Sequence, residues 1–86
     1  MFHLFEGKPD FINAEGVKWW LDRETMIYVK KKGFDTSKLQ VCGVEEKDGK
    51  RTRVIVDNGR VVYENTNYEA IACHIDIMAV DRDFPK

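Results

Sequence analysis

The sequence predicts an α+β domain of the order α-β-β-β-α, a three-stranded antiparallel sheet with two helices packed on one face, preceded by an N-terminal arm or strand. Three observations predict it. Asp48-Gly49 and Asn58-Gly59 each stand between runs rich in β-branched residues, and such dipeptides supply the positive φ values that tight hairpins need. One segment ends in Lys30-Lys31-Lys32-Gly33, the basic last turn and glycine stop of a helix. Another opens with Thr66 and Glu69 at capping-box spacing and continues as an apolar stripe of helical period. A chain of 86 residues has room for one domain, 1–86, with 1–16 as the arm and 19–80 as the core.

In the arm, Phe2, Leu4 and Phe5, then Phe11 and Ile12, are separated by Gly7 and Pro9, the pattern of a short extended segment that turns at Gly7-Lys8-Pro9. The alternative, a helix running back through Gly16, would place a glycine inside it at a cost of about 1 kcal/mol. The first helix lies within Trp19 to Lys32. Asp22 can cap Arg23–Lys32, with Glu24 in the first turn; an earlier start would put Leu21, Thr25, Tyr28 and Val29 on one face.

Three strands follow, Leu39–Lys47, Lys50–Asp57 and Arg60–Glu64. Two-residue turns would set Val41 opposite Val56, Gly43 opposite Val54, Val56 opposite Val61 and Val54 opposite Tyr63, all on one core face with Leu39, where Gly43 would admit a helix. The other face then carries Cys42, Val44, Ile55 and Val62 beside Arg51, Arg53 and Glu46. That is too apolar for a face left to water, and the arm, a second copy of the chain or a partner is expected to cover it. The last helix runs from about Asn67 to Asp81. Tyr68, Ile71, Ala72, Ile75, Met78 and Ala79 form one stripe, while Cys73, Ile77 and Val80 lie on another side and ask for a further contact. A strand through Ile71–Val80 is the competing assignment.

The order helix–strand–strand–strand–helix over residues 19–80 resembles the double-stranded-RNA-binding domain. Ile27-Tyr28-Val29-Lys30-Lys31-Lys32-Gly33-Phe34 is similar to the end of that family's first helix, and Val61, Tyr63 and the helix after Thr66 fall where its third strand and second helix lie. The resemblance implies a fold. It does not extend to RNA contacts: the family's lysine cluster at the second helix is replaced by Asn65-Thr66-Asn67-Tyr68-Glu69-Ala70-Ile71. Its Gly-Pro-x-His loop, which reaches a minor groove, is replaced by Lys47-Asp48-Gly49-Lys50. Weak or absent binding to duplex RNA is expected.

Composition narrows the chemistry. Net charge is −1, divided between a balance of +4 over Lys18–Arg60 and −5 over the remainder. Cys42 and Cys73 are the two cysteines; without a Cys-x-x-Cys pair they read as small buried hydrophobes. His3 and His74 are isolated, no ligand set has metal spacing, no phosphate loop is present, and Glu45 and Glu46 point to opposite sides of a strand. No enzyme, cofactor, metal or small-molecule substrate is expected. A ribonuclease-type toxin of this topology would need a strand histidine that the sequence lacks. No apolar run approaches the ~20 residues that span a bilayer, and Met1–Pro9 lacks the features of a signal peptide, so a cytoplasmic protein away from membranes is expected.

The functional expectation is a non-catalytic module acting through protein–protein contacts, a phage-like accessory or inhibitory protein, with a protein partner or as a homodimer. Its candidate surface is Phe2, Leu4, Phe5, Trp19, Trp20, Cys42, Val44, Ile55 and Val62, since aromatic and apolar side chains dominate interface centres. The alternative is nucleic-acid binding through Lys30, Lys31, Lys32, Lys50, Arg51, Arg53 and Arg60, in which phosphate contacts give salt-sensitive, sequence-blind affinity.

Overall fold

The computed structural model describes residues 4–85. Five strands and two helices follow one another as β1 (Phe11–Ile12), β2 (Lys18–Leu21), α1 (Arg23–Lys31), β3 (Leu39–Glu45), β4 (Arg51–Asp57), β5 (Arg60–Asn65) and α2 (Tyr68–Asp83). The strands form one antiparallel sheet in the order β1-β2-β3-β4-β5. The α+β class holds, but the sheet has five strands rather than three.

The two additional strands come from residues assigned to the arm and to a helix start. Adjacent tryptophans suit a pleated strand, whose successive side chains point to opposite faces. Trp20 lies opposite Gly43 and Trp19 opposite Val44. Asn13 makes the turn that returns β1 to β2: its side chain accepts from the backbone N–H of Glu15 (3.0 Å) and of Val17 (2.9 Å), and Gly16 takes φ +83°. Asp22 then ends β2 and caps α1, accepting from the Thr25 N–H at 3.0 Å and from the Thr25 hydroxyl at 2.7 Å.

The register of β3 on β4 differs by one residue from the expected one. Val41 pairs with Ile55 and Gly43 with Arg53. The turn is a three-residue loop, Lys47-Asp48-Gly49, closed by Glu46 N–H to Lys50 O at 2.8 Å with Gly49 at φ +89°. A three-residue loop with glycine in the left-handed region competes with the two-residue turn at an Asp-Gly sequence. Because side chains alternate, that single residue moves Val54 and Val56 to one face and Ile55 to the other. The grouping of Cys42, Val44, Ile55 and Val62 is therefore corrected: Ile55 lies under the helices, opposite in sense to Cys42 and Val44. The Asn58-Gly59 turn does close with two residues at positive φ, and Val56 faces Val61. Beyond it, Val62 is the extra residue of a bulge, so Tyr63 faces Ile55 instead of Val54.

Helices α1 and α2 share one face of the sheet. Val29, Leu39, Val41, Ile55, Ile71 and Ile75 are buried together there, with Met26, Tyr28, Phe34, Tyr63 and Met78 around them. Asn67, not Thr66, caps α2, accepting from Glu69 N–H at 2.9 Å. The helices are tied by Asp76 of α2, which accepts from the Tyr28 hydroxyl and lies 3.3 Å from Lys32 Nζ. These contacts hold the Asp76 carboxyl below the usual carboxylate range and raise both Tyr28 and Lys32.

The arm covers the rest of the same face. Leu4 is buried, and Phe5 meets Trp20 edge to face at 5.6 Å beneath the Arg51 guanidinium. Gly43 admits the arm rather than a helix: a Cβ there would stand 2.5 Å from Leu4 Cδ2 and 3.0 Å from Phe5 Cε1.

Two stability measurements check this account. Asp22→Ala removes a cap and leaves Thr25 without its buried acceptor, so a loss of about 2 kcal/mol, or roughly 10 °C in Tm, is expected by thermal denaturation. Asp22→Asn, which keeps an acceptor for Thr25, is expected to lose less. Gly43→Ala should cost about 1–2 kcal/mol through overpacking against Leu4. The same substitution in a chain lacking residues 1–8 should cost much less, and equal costs in the two backgrounds would refute the packing of the arm over Gly43.

A candidate interaction face on the open side of the sheet

The side of the sheet away from the helices is built by alternation from β2, β3, β4 and β5. It presents Trp19 and Leu21, then Cys42 and Val44, then Val54 and Val56, then Val61 past the Asn58-Gly59 turn. Val44, Val54 and Val17, from the loop before β2, are buried as a second small cluster, with Trp19, Cys42 and Val56 half-buried around it. Two adjoining hollows of about 360 and 230 Å³ lie on this side and share Trp19 and Val61. The larger is lined by Phe11, Leu21, Cys42 and Val56, and the smaller runs to Glu15, Glu46 and Glu64. Phe11 and Val61 remain 59% and 49% exposed. Neither helix reaches this side, and Leu4 and Phe5 pack on the other one.

Charge at its edge is mainly acidic, with the Lys47 side chain lying against Gly16 beside Glu15. Asp10, beside the larger hollow, is held by Arg23 at 2.8 Å and by the Leu21 N–H at 2.8 Å, and the hydrogen bond from Arg23 is the main cause that lowers its carboxyl. The strand positions on the open side carry no lysine or arginine: Lys18, Arg51, Arg53 and Arg60 all point to the helix side. The indole N–H of Trp19 is buried without a hydrogen-bond partner among the described residues, a defect worth about 1–3 kcal/mol.

Of the residues singled out from the sequence, Trp19, Cys42 and Val44 belong to this face. Leu4, Trp20 and Ile55 are buried on the other side, Phe5 is half-buried over Trp20, Val62 is exposed at the bulge, and Phe2 lies outside the described residues. Phe11, Leu21, Val54, Val56 and Val61 were missed. The wrong register sent Val54, Val56 and Val61 to the core face, whereas Phe11 and Leu21 were read as arm and as helix start rather than as strand.

The basic residues do not converge. Lys50 and Arg51 sit at the β3–β4 loop, whereas Arg60 and the end of α1 with Lys30, Lys31 and Lys32 lie at the other end of the sheet, about 20 Å away along β4. Arg51 pairs with Glu45 at 2.6 Å, Arg53 lies 3.8 Å from the buried Asp22 and over Tyr68, and Lys32 pairs with Asp76.

His74, the one histidine among the described residues, stacks flat on Tyr63 at 4.0 Å. Among the described residues no group of three His, Cys, Asp or Glu could hold a metal ion, and no helix is long and apolar enough to cross a membrane. Burial pushes the Cys42 thiol up to about 11, with the charges of Asp10 and Asp22 adding to the effect, so it is a poor nucleophile near neutral pH.

Cys73, by contrast, is exposed on α2. Iodoacetamide at pH 8 is therefore expected to label Cys73 first and Cys42 at least about tenfold more slowly, read by peptide mass spectrometry. Equal rates would contradict the burial of Cys42. Against protein-family models, curated proteins and solved structures alike, the chain finds no match.

Proposed function

We propose that the protein is a small non-catalytic binding module, and that its open sheet face receives an apolar segment of a partner protein. The observation that carries this reading is the pair of adjoining hollows around Trp19 on the side that the helices leave uncovered. A half-buried tryptophan set among valines offers a large apolar contact at little entropic cost, the composition of interface centres. The acidic edge selects among partners. Glu15, Glu46 and Glu64 repel a phosphate backbone, which argues against nucleic acid on this side. A second copy would set the same carboxylates against each other. The fitting partner presents apolar side chains flanked by lysine or arginine. An accessory or inhibitory role, exercised by occupying a surface of a larger protein, suits a module of this size.

Val61→Asp tests the reading without threatening the fold, because Val61 is about half exposed and such substitutions usually change stability by no more than about 0.5 kcal/mol. Wild-type and Val61→Asp proteins would be immobilised and exposed to native lysate treated with nuclease. A protein retained by the wild type and lost with Val61→Asp is expected. Identical recovery on both, or recovery that vanishes with nuclease, would overturn the proposal.

A further inference from the structure

Helix α2 carries a second apolar surface that the sheet face does not explain. Its inward side is Ile71, Ile75 and Ala79, buried against the core. On the opposite side lie Ala70, Cys73, Ile77 and Val80, continued by Phe84 at the C-cap. These five are spaced 3, 4, 3 and 4 residues apart, the alternation of a coiled-coil seam, and run for about 21 Å along the helix. Ile77, Val80 and Phe84 are 51%, 56% and 75% exposed, and Cys73, one turn before Ile77, is exposed as well. Solubility alone would favour polar residues there. An apolar seam directly opposite a core-facing stripe makes a helix that can be gripped from both sides.

Charge beside the seam decides among the helices or surfaces that could cover it. Glu69, Asp76 and Asp83 follow one flank, and Asp81 follows the other with His74. Lys32 lies against Asp76 and Arg82 against Asp83, so two of the four acids are partly compensated and the flanks stay acidic. A second copy of α2 would bring acidic flanks to acidic flanks, in either orientation. An anionic membrane surface or a nucleic acid would be repelled for the same reason. A helix with apolar a and d positions and lysine or arginine at e and g meets both the spacing and the charge.

We infer that the outer face of α2 is a docking site for a basic amphipathic helix of a partner protein, paired along the Ala70–Phe84 seam. This site is independent of the open sheet face and stands or falls separately from it.

The probe is a synthetic peptide of about three heptads with leucine at a and d and lysine at e and g, compared with a twin carrying glutamate at e and g. Binding to the full chain is followed by fluorescence anisotropy at about physiological salt. The lysine peptide is expected to bind the wild type and Val61→Asp alike, and to bind Ile77→Ser/Val80→Ser at least about tenfold more weakly. The substituted positions are exposed, and an unchanged circular dichroism spectrum confirms that the fold is intact. The charge-reversed variant Glu69→Lys/Asp81→Lys should lose preference for the lysine peptide and gain it for the glutamate twin. Binding indifferent to the seam substitutions, or equal binding of both peptides to the wild type, overturns the inference. So does a wild-type dimer in sedimentation, or adsorption to anionic vesicles, that Ile77→Ser/Val80→Ser abolishes, since each would assign the seam a different occupant.

Discussion

Asp22 is the joint on which the layers meet. Its backbone N–H donates to Val41 O at 2.9 Å, holding the end of β2 to β3, while its carboxylate starts α1 through Thr25. The same carboxylate lies 3.8 Å from Arg53 on β4, so this one buried residue links the end of β2 to β3, to β4 and to the first turn of a helix. A buried carboxylate is tolerable only when its oxygens are satisfied, and here the Thr25 N–H and hydroxyl each donate to one oxygen, with the Arg53 guanidinium at ion-pair distance. The angle at which α1 leaves the sheet follows from that cap. With α1 fixed, Val29 reaches Val41 and Tyr28 reaches Asp76, which in turn seats α2 beside it.

Much of this was legible in the chain. Asp22 as cap, the lysines and Gly33 at the end of α1, and the Asn58-Gly59 turn are local signals, and local signals carry through because they depend on few neighbours. What was not legible depended on competition between near-equal local choices. Asp48-Gly49 can close a loop of two residues or three; the second was taken, and every side chain of β4 changed side relative to the expected core. Trp19-Trp20 fits a strand or a helix by propensity. Only the availability of Gly43 and Val44 on β3 as neighbours makes it a strand, and that information is long-range.

The candidate site shares this history. An excess of apolar residues on the far side of the sheet followed from composition and alternation, but its membership required the register. The arm was a candidate cover for that side, yet it packs on the helix side, because the glycine at position 43 leaves a hollow that Leu4 fills. The resulting domain has one thoroughly covered sheet face and one with a shallow apolar basin, and α2 adds exposed apolar side chains pointing away from both.

The bulge at Val62 limits how such a surface can be used. A regular outer strand would offer its unpaired amides and carbonyls to any extended chain and invite sheet-to-sheet growth. Here β5 is interrupted midway, and the other border strand, β1, is two residues long. Neither margin provides an uninterrupted ladder of main-chain groups. On the proposed binding reading, contacts at this face rest on side-chain shape and charge, which discriminate between sequences, rather than on main-chain pairing, which accepts nearly any of them.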